Sequence, residues 1–152
     1  MANAQAMCTS FKTDVLNGLH ALGASVIRAA TTKDAFKAAL YLATASLGAA
    51  TTAYSATGEV TGTNYTAGGV AVTTATAPTS TGTTAFFTPS ASIVYTNVTL
   101  ATAFDAVLIY NDTAAGKNAV SVHTFGSQTV TAGTFTLTMP ANDATNALIR
   151  IA

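Results

Sequence analysis

Residues 104–111 constrain this chain of 152 residues more than any other stretch. Laid out as a strand, Phe104, Ala106, Leu108 and Tyr110 point to one face and Val107 and Ile109 to the other. A strand that is apolar on both faces needs packing partners above and below it. The rest of the chain is therefore expected to supply two covering layers around a central strand.

Strand-like segments surround it on both sides. Val70, Val72 and Thr74 alternate with Ala71 and Thr73, and residues 84–88 and 93–100 read as two further strands. Within 84–88, Phe86 and Phe87 must face opposite ways, which leaves one of them for a partner. Residues 111–118, with Gly116, suit a hairpin loop, and 119–125 follow as a strand. Gly126 and Gly133 bracket a polar connection. Phe135, Leu137 and Met139 then alternate with Thr134, Thr136 and Thr138 in a half-buried pattern before Pro140. Residues 147–151 close the chain as a last strand. Residues 76–83, with Pro78 and Gly82, read as a turn-rich connection, and 51–54 as one helical turn. Seven or eight short strands at this spacing predict a mainly β protein, an antiparallel β-sandwich or jelly roll. Residues 34–42 are ambiguous: helix propensity is good, yet Phe36, Ala38, Leu40 and Leu42 alternate as a strand would.

The first 33 residues read differently, as a short helical or extended arm ahead of a sandwich domain spanning 34–152. Residues 1–8 look loose. Thr9 and Ser10 can cap a short helix that places Phe11, Val15, Leu16, Leu19 and Leu22 on one face. Gly18 weakens that helix and Gly23 ends it. So short a helix keeps its shape only if its apolar stripe is covered, by its own domain or by a neighbouring subunit.

Charged residues make up 8% of the chain, against about 25% in ordinary domains. Hydroxyls take their place: there are 30 Thr beside 33 Ala. Six basic residues balance six acidic ones, so no net field draws the chain to nucleic acid or to an anionic membrane. A surface so poor in charge suits a protein covered by neighbours, and a homo-oligomer, dimer or trimer, is expected. The single cysteine, Cys8, has no partner for an intrachain disulfide and no metal-binding spacing around it. The first seven residues carry neither a basic residue nor a long apolar run, so no signal peptide is expected and synthesis in a cytoplasm is. The apolar region 38–50 is too short to cross a bilayer.

Chemistry is sparse. Ser121, His123 and Asp105 can be assembled on paper into a nucleophile, base and acid, but no Gly-x-Ser-x-Gly turn presents the serine. Asp14, Asp34, Glu59, Asp105, Asp112 and Asp143 are scattered singly, without the carboxylate pair that glycoside hydrolysis needs. Asp112 and Asp143 lie in turn-like stretches, where aspartate bonds its own backbone. The sequence predicts no catalytic residue, no cofactor and no metal site.

Several stretches resemble a widespread group of small virion proteins of tailed bacteriophages. They are Asp34-Ala35-Phe36-Lys37-Ala38-Ala39-Leu40-Tyr41, Thr51-Thr52-Ala53-Tyr54 and Gly62-Thr63-Asn64-Tyr65-Thr66-Ala67-Gly68-Gly69. The second half adds residues 106–111, Phe125-Gly126, 132–136 and 147–151. Asn64 stands where the pattern has glycine, and asparagine tolerates the same left-handed turn. The resemblance implies a β-sandwich particle protein and a strand over 36–42. It points to a capsid decoration (cement) protein in the virion, bound to the major capsid protein or other virion proteins. The alternative it allows is a neck, tail or head-fibre component that binds a host glycan. On the decoration reading, Phe11, Val15, Leu16, Leu19, Phe86 and Phe87 are the expected contacts with shell or subunits. The arm would then act as a strap, separable from a sandwich that folds without it.

Overall fold

The computed structural model describes residues 2–8, 10–11, 15, 19–20, 22, 33–82 and 84–151. Its strands are β1 (Ala6–Met7), β2 (Phe36–Leu42), β3 (Val70–Val72), β4 (Thr79–Thr81), β5 (Thr84–Phe87), β6 (Ile93–Asn111), β7 (Ala119–Leu137) and β8 (Ile149–Ile151). They form two antiparallel sheets, a five-stranded one in the order β1-β7-β6-β2-β3 and a three-stranded one in the order β4-β5-β8. The protein is mainly β and sandwich-like, as its pattern predicts.

The stretch 104–111 is the centre of the large sheet, between β2 and β7. Phe104 and residues 106–111 are all buried. Residues paired across antiparallel strands share a face. One face thus carries Tyr110, Leu108 and Ala106 beside Lys37, Ala39 and Tyr41. Tyr54 stacks on Tyr110 with ring centroids 4.8 Å apart, so the connection between β2 and β3 covers this side. The other face carries Ile109 and Val107 beside Ala38 and Leu40. Phe11 lies over this side, its ring 5.0 Å from that of His20, which in turn lies 6.4 Å from Phe36. Phe87 and Ile149 of the small sheet join the same hydrophobic cluster.

Four features differ from the sequence reading. Residues 93–100 and 104–111 are one 19-residue strand, and 119–125 and 134–137 belong to another. The glycines at 126 and 133 do not end β7; register shifts absorb the irregularity, helped by left-handed Asn97 (φ 51) and Ala132 (φ 45). Residues 79–81, read as a turn, pair with β5. Residues 51–54 form no helical turn; Ala53 instead bridges Asn118. Asn64 does adopt the left-handed conformation expected of it, at φ 60.

The fourth difference concerns the N-terminus. Residues 2–8, expected as a loose arm, are docked, because β1 adds to the edge of the large sheet with Ala6 opposite Val122 and Met7 opposite Ser121. Cys8 and Phe11 have no exposed surface. Asn3 donates to the Leu42 carbonyl and to Asp105, and its side-chain oxygen accepts from the Leu47 amide. Ser10, Phe11 and Val15 have helical backbone, whereas Leu19, His20 and Leu22, expected in the same helix, do not; residues 12–14, 16–18 and 21 lie outside the described residues.

Candidate functional site

The densest polar grouping in the molecule centres on Glu59, one of the carboxylates that looked isolated in the sequence. Glu59 is 7% exposed, and its carboxyl group takes hydrogen bonds from the Tyr54 hydroxyl at 2.6 Å, the Tyr65 hydroxyl at 2.7 Å and the Gly68 amide at 2.7 Å. The Tyr65 oxygen in turn accepts from the Leu40 amide, and Tyr110 donates to the Gly68 carbonyl. Tyr41 donates to Ser55 and Tyr95 to Ala38, so all five tyrosines of the chain are engaged. Burial first, and then the Glu59 bond, push the Tyr54 and Tyr65 hydroxyls well above their usual range. They stay protonated donors at neutral pH.

This network explains the motif at 62–69 in physical terms. Gly69 has φ +75, and a Cβ there would lie 1.7 Å from the Ala38 carbonyl oxygen. A Cβ on Gly62 would lie 2.0 Å from the Thr99 oxygen, where Thr63 and Thr99 exchange backbone hydrogen bonds. The loop is pressed against β2 and β6 and clipped there by Tyr65, Gly68 and Glu59. Every donor and acceptor named is satisfied internally, and the grouping fastens the loop to the sheet.

Ser121 and His123 do meet: the serine oxygen lies 2.8 Å from His123 Nε2. The third member does not join them, because Asp105 accepts from Asn3 instead. Ser121 is 2% exposed. His123 lines a 220 Å³ cavity between the sheets with Ile93, Val107, Ile109 and Leu148. Burial pushes its ring down to about 4.

That shift has a testable sign. The unfolded histidine takes its proton near pH ~6.5, the folded one only near 4, so the unfolded chain binds more protons between these values. Stability is expected to fall as pH drops through this window, by roughly 2 kcal/mol attributable to this ring. Urea unfolding at pH 7 and pH 4.5 measures it, and His123→Gln should remove that part of the difference. An unchanged pH dependence in the variant would mean that the ring is not buried in the neutral form.

Two further carboxylates sit in turns. Asp143 accepts from the Thr145 and Asn146 amides, as its turn-like context predicts, and the Asn146 side chain holds its carboxyl below the usual range. Asp112 pairs with Lys117 and, at 3.2 Å, with Lys37. The turn there is capped by Asn111, whose side-chain oxygen accepts from the Thr113 and Ala114 amides. Among the described residues no three His, Cys, Asp or Glu side chains gather as a metal site, and no helix is long and apolar enough to cross a membrane.

The expected contact residues prove mostly interior. Phe11 is fully buried, Phe87 is 3% exposed and Phe86, flanked by β4 and β8, is 6% exposed. Val15 is half-buried against the core, Leu19 is 38% exposed, and Leu16 lies outside the described residues. Phe11 and Phe87 are therefore corrected from surface contacts to core, and Phe86 to a buried position between β8 and β4, a strand that sequence patterning missed. The exposed large apolar residues of the β sheets are Val94 and Ile151. Val94 was hard to single out because both faces of 93–100 have similar character.

What the surface does offer is the distal half of the β6–β7 ribbon. Ala101, Thr102, Ala103, Gln128, Thr129, Thr131, Thr134 and Thr136 are all exposed, and no Asp, Glu, Lys or Arg occurs from 118 to 142. No protein-family model, curated protein or solved structure matches the chain.

Proposed function

We propose that this protein is a non-enzymatic structural component of a tailed-bacteriophage virion, a capsid decoration protein that binds the assembled shell and bridges neighbouring capsid subunits. The observation that carries this reading is the exposed, uncharged, threonine-rich ribbon of β6 and β7, a surface suited to many weak contacts rather than to one ligand. Contacts of that kind gain strength when lattice symmetry repeats them. A protein that binds only the assembled lattice stabilises it by linkage. The sequence resemblance over residues 34–151 supports the same reading. The five tyrosines are committed to the interior network, which leaves none as an open platform for a sugar ring and disfavours a glycan-binding fibre.

Copy number in purified particles tests it. A decoration protein is expected at hundreds of copies per particle, a neck or fibre protein at roughly six to a few dozen, as closed symmetric assemblies require. Particles lacking the protein should take it up from solution and then resist heating better. Absence from particles, or a low copy number, would sink the decoration reading.

A further inference from the structure

Among the described residues, the outer edge of β7 is unpaired beyond Val122. Along its inner edge β7 pairs with β6 from Ala119 to Leu137, whereas β1 meets its outer edge only at Ser121 and Val122. Among the described residues no other strand pairs with β7. Further along, the Gly126 carbonyl takes a hydrogen bond from the side chain of Gln128, on its own strand. Natural edges are blunted by lysine, by proline, by inward charge or by a bulge. Residues 128–137 contain no lysine, proline or charge, and their one irregularity is at Ala132.

The edge is also complementary to itself. Left-handed Ala132 divides it into two runs, 128–131 and 133–137. The irregularity shifts the side-chain alternation by one, so Val130, Gly133, Phe135 and Leu137 are all half-buried, while Thr129, Thr131, Thr134 and Thr136 are all exposed. Two copies placed antiparallel about an axis at Ala132 and Gly133 set the first run of each against the second run of the other. Thr131 then faces Thr134, Thr129 faces Thr136, and Val130 faces Phe135. Threonine pairs and aromatic–β-branched pairs are among the favoured cross-strand neighbours. The half-buried Phe135 ring, which already packs edge-on against Phe104 at 5.0 Å, would gain a cover.

We propose that the 128–137 edge of β7 pairs with the same edge of a second copy of this chain, joining two five-stranded sheets into one across a two-fold axis. This does not rest on a role in the virion, and it is tested in solution without particles.

Sedimentation of the full chain at micromolar concentration should give twice the 15.2 kDa chain mass. Thr131→Lys with Thr134→Lys places lysine opposite lysine on both sides of the axis and should weaken the dimer at least tenfold. Thr131→Glu with Thr134→Glu should do the same. Both positions are exposed in the single chain, so far-UV circular dichroism should be unchanged. Mixing the lysine and glutamate variants should restore a dimer of one copy of each, which a general loss of fold would not do. Amide hydrogen exchange of the wild type supplies a readout free of substitutions: protection across 128–137 should rise with protein concentration. A wild-type monomer, a trimer, a dimer indifferent to the lysines, or protection independent of concentration would each overturn the proposal.

Discussion

Gly69→Ala is expected to leave little folded protein. A methyl group at this position would sit 1.7 Å from the Ala38 carbonyl oxygen and 2.7 Å from the Ala39 Cα. Both obstacles are backbone in β2, at the middle of the large sheet, and neither can swing aside as a side chain could. Relief requires the 62–69 loop to lift, which pulls Gly68 off Glu59 and Tyr110. The expected cost exceeds about 4 kcal/mol, the range reserved for severe core disruption. Gly82→Ala is the matched control: Gly82 also has positive φ, at +60, but an added Cβ there meets nothing within 4 Å. It should cost only the left-handed penalty of about 1–2 kcal/mol. Soluble yield and thermal unfolding of the two variants measure the difference. Equal midpoints would mean that the loop is not pressed against β2.

Removing residues 1–11 is expected to be nearly as damaging. The deletion takes away β1, three hydrogen bonds made by the Asn3 side chain, and the fully buried Cys8 and Phe11. Loss of a buried phenylalanine alone costs about 3–5 kcal/mol, against a total stability of about 5–15 kcal/mol for a domain. The truncated chain should lose its cooperative thermal transition. A truncated chain with an unchanged midpoint would restore the idea of a detachable strap. Phe11→Ala separates the core side chain from the strand and should account for a large share of the loss.

The sequence carried much of this architecture in legible form, and the limits of legibility have physical causes. The burial of 104–111 on both faces follows directly from its run of apolar residues, since water could be excluded in no other way. The β5, β8 and β3 segments were readable from alternation and flanking turn residues. The length of β6 and β7 was not, because a register shift lets glycine and polar residues sit inside a ladder without ending it. β1 escaped notice because two residues are too few to show a period. The Glu59 network was hidden for another reason. Its partners Tyr54, Tyr65 and Gly68 are spread through a loop, and nothing in their spacing shows that three donors converge on one carboxyl group. The motif at 62–69 signalled that something was required there, but only the close approach to Ala38 reveals what.

The pairing of β1 with β7 also governs the order in which the fold can be completed. During synthesis the segment with Ala6 and Met7 emerges before β7, so Ala6 has no strand to join until Val122 has emerged. The β6–β7 hairpin, closed by the short loop at 112–118, can zip locally as soon as both arms are free, because its ends are near in sequence. The β1 segment must therefore wait unpaired until β7 is made, and it then seals one end of the sheet edge. A nascent chain stalled before β7 would present the unpaired backbone of β1 to any chaperone or neighbouring chain that reached it.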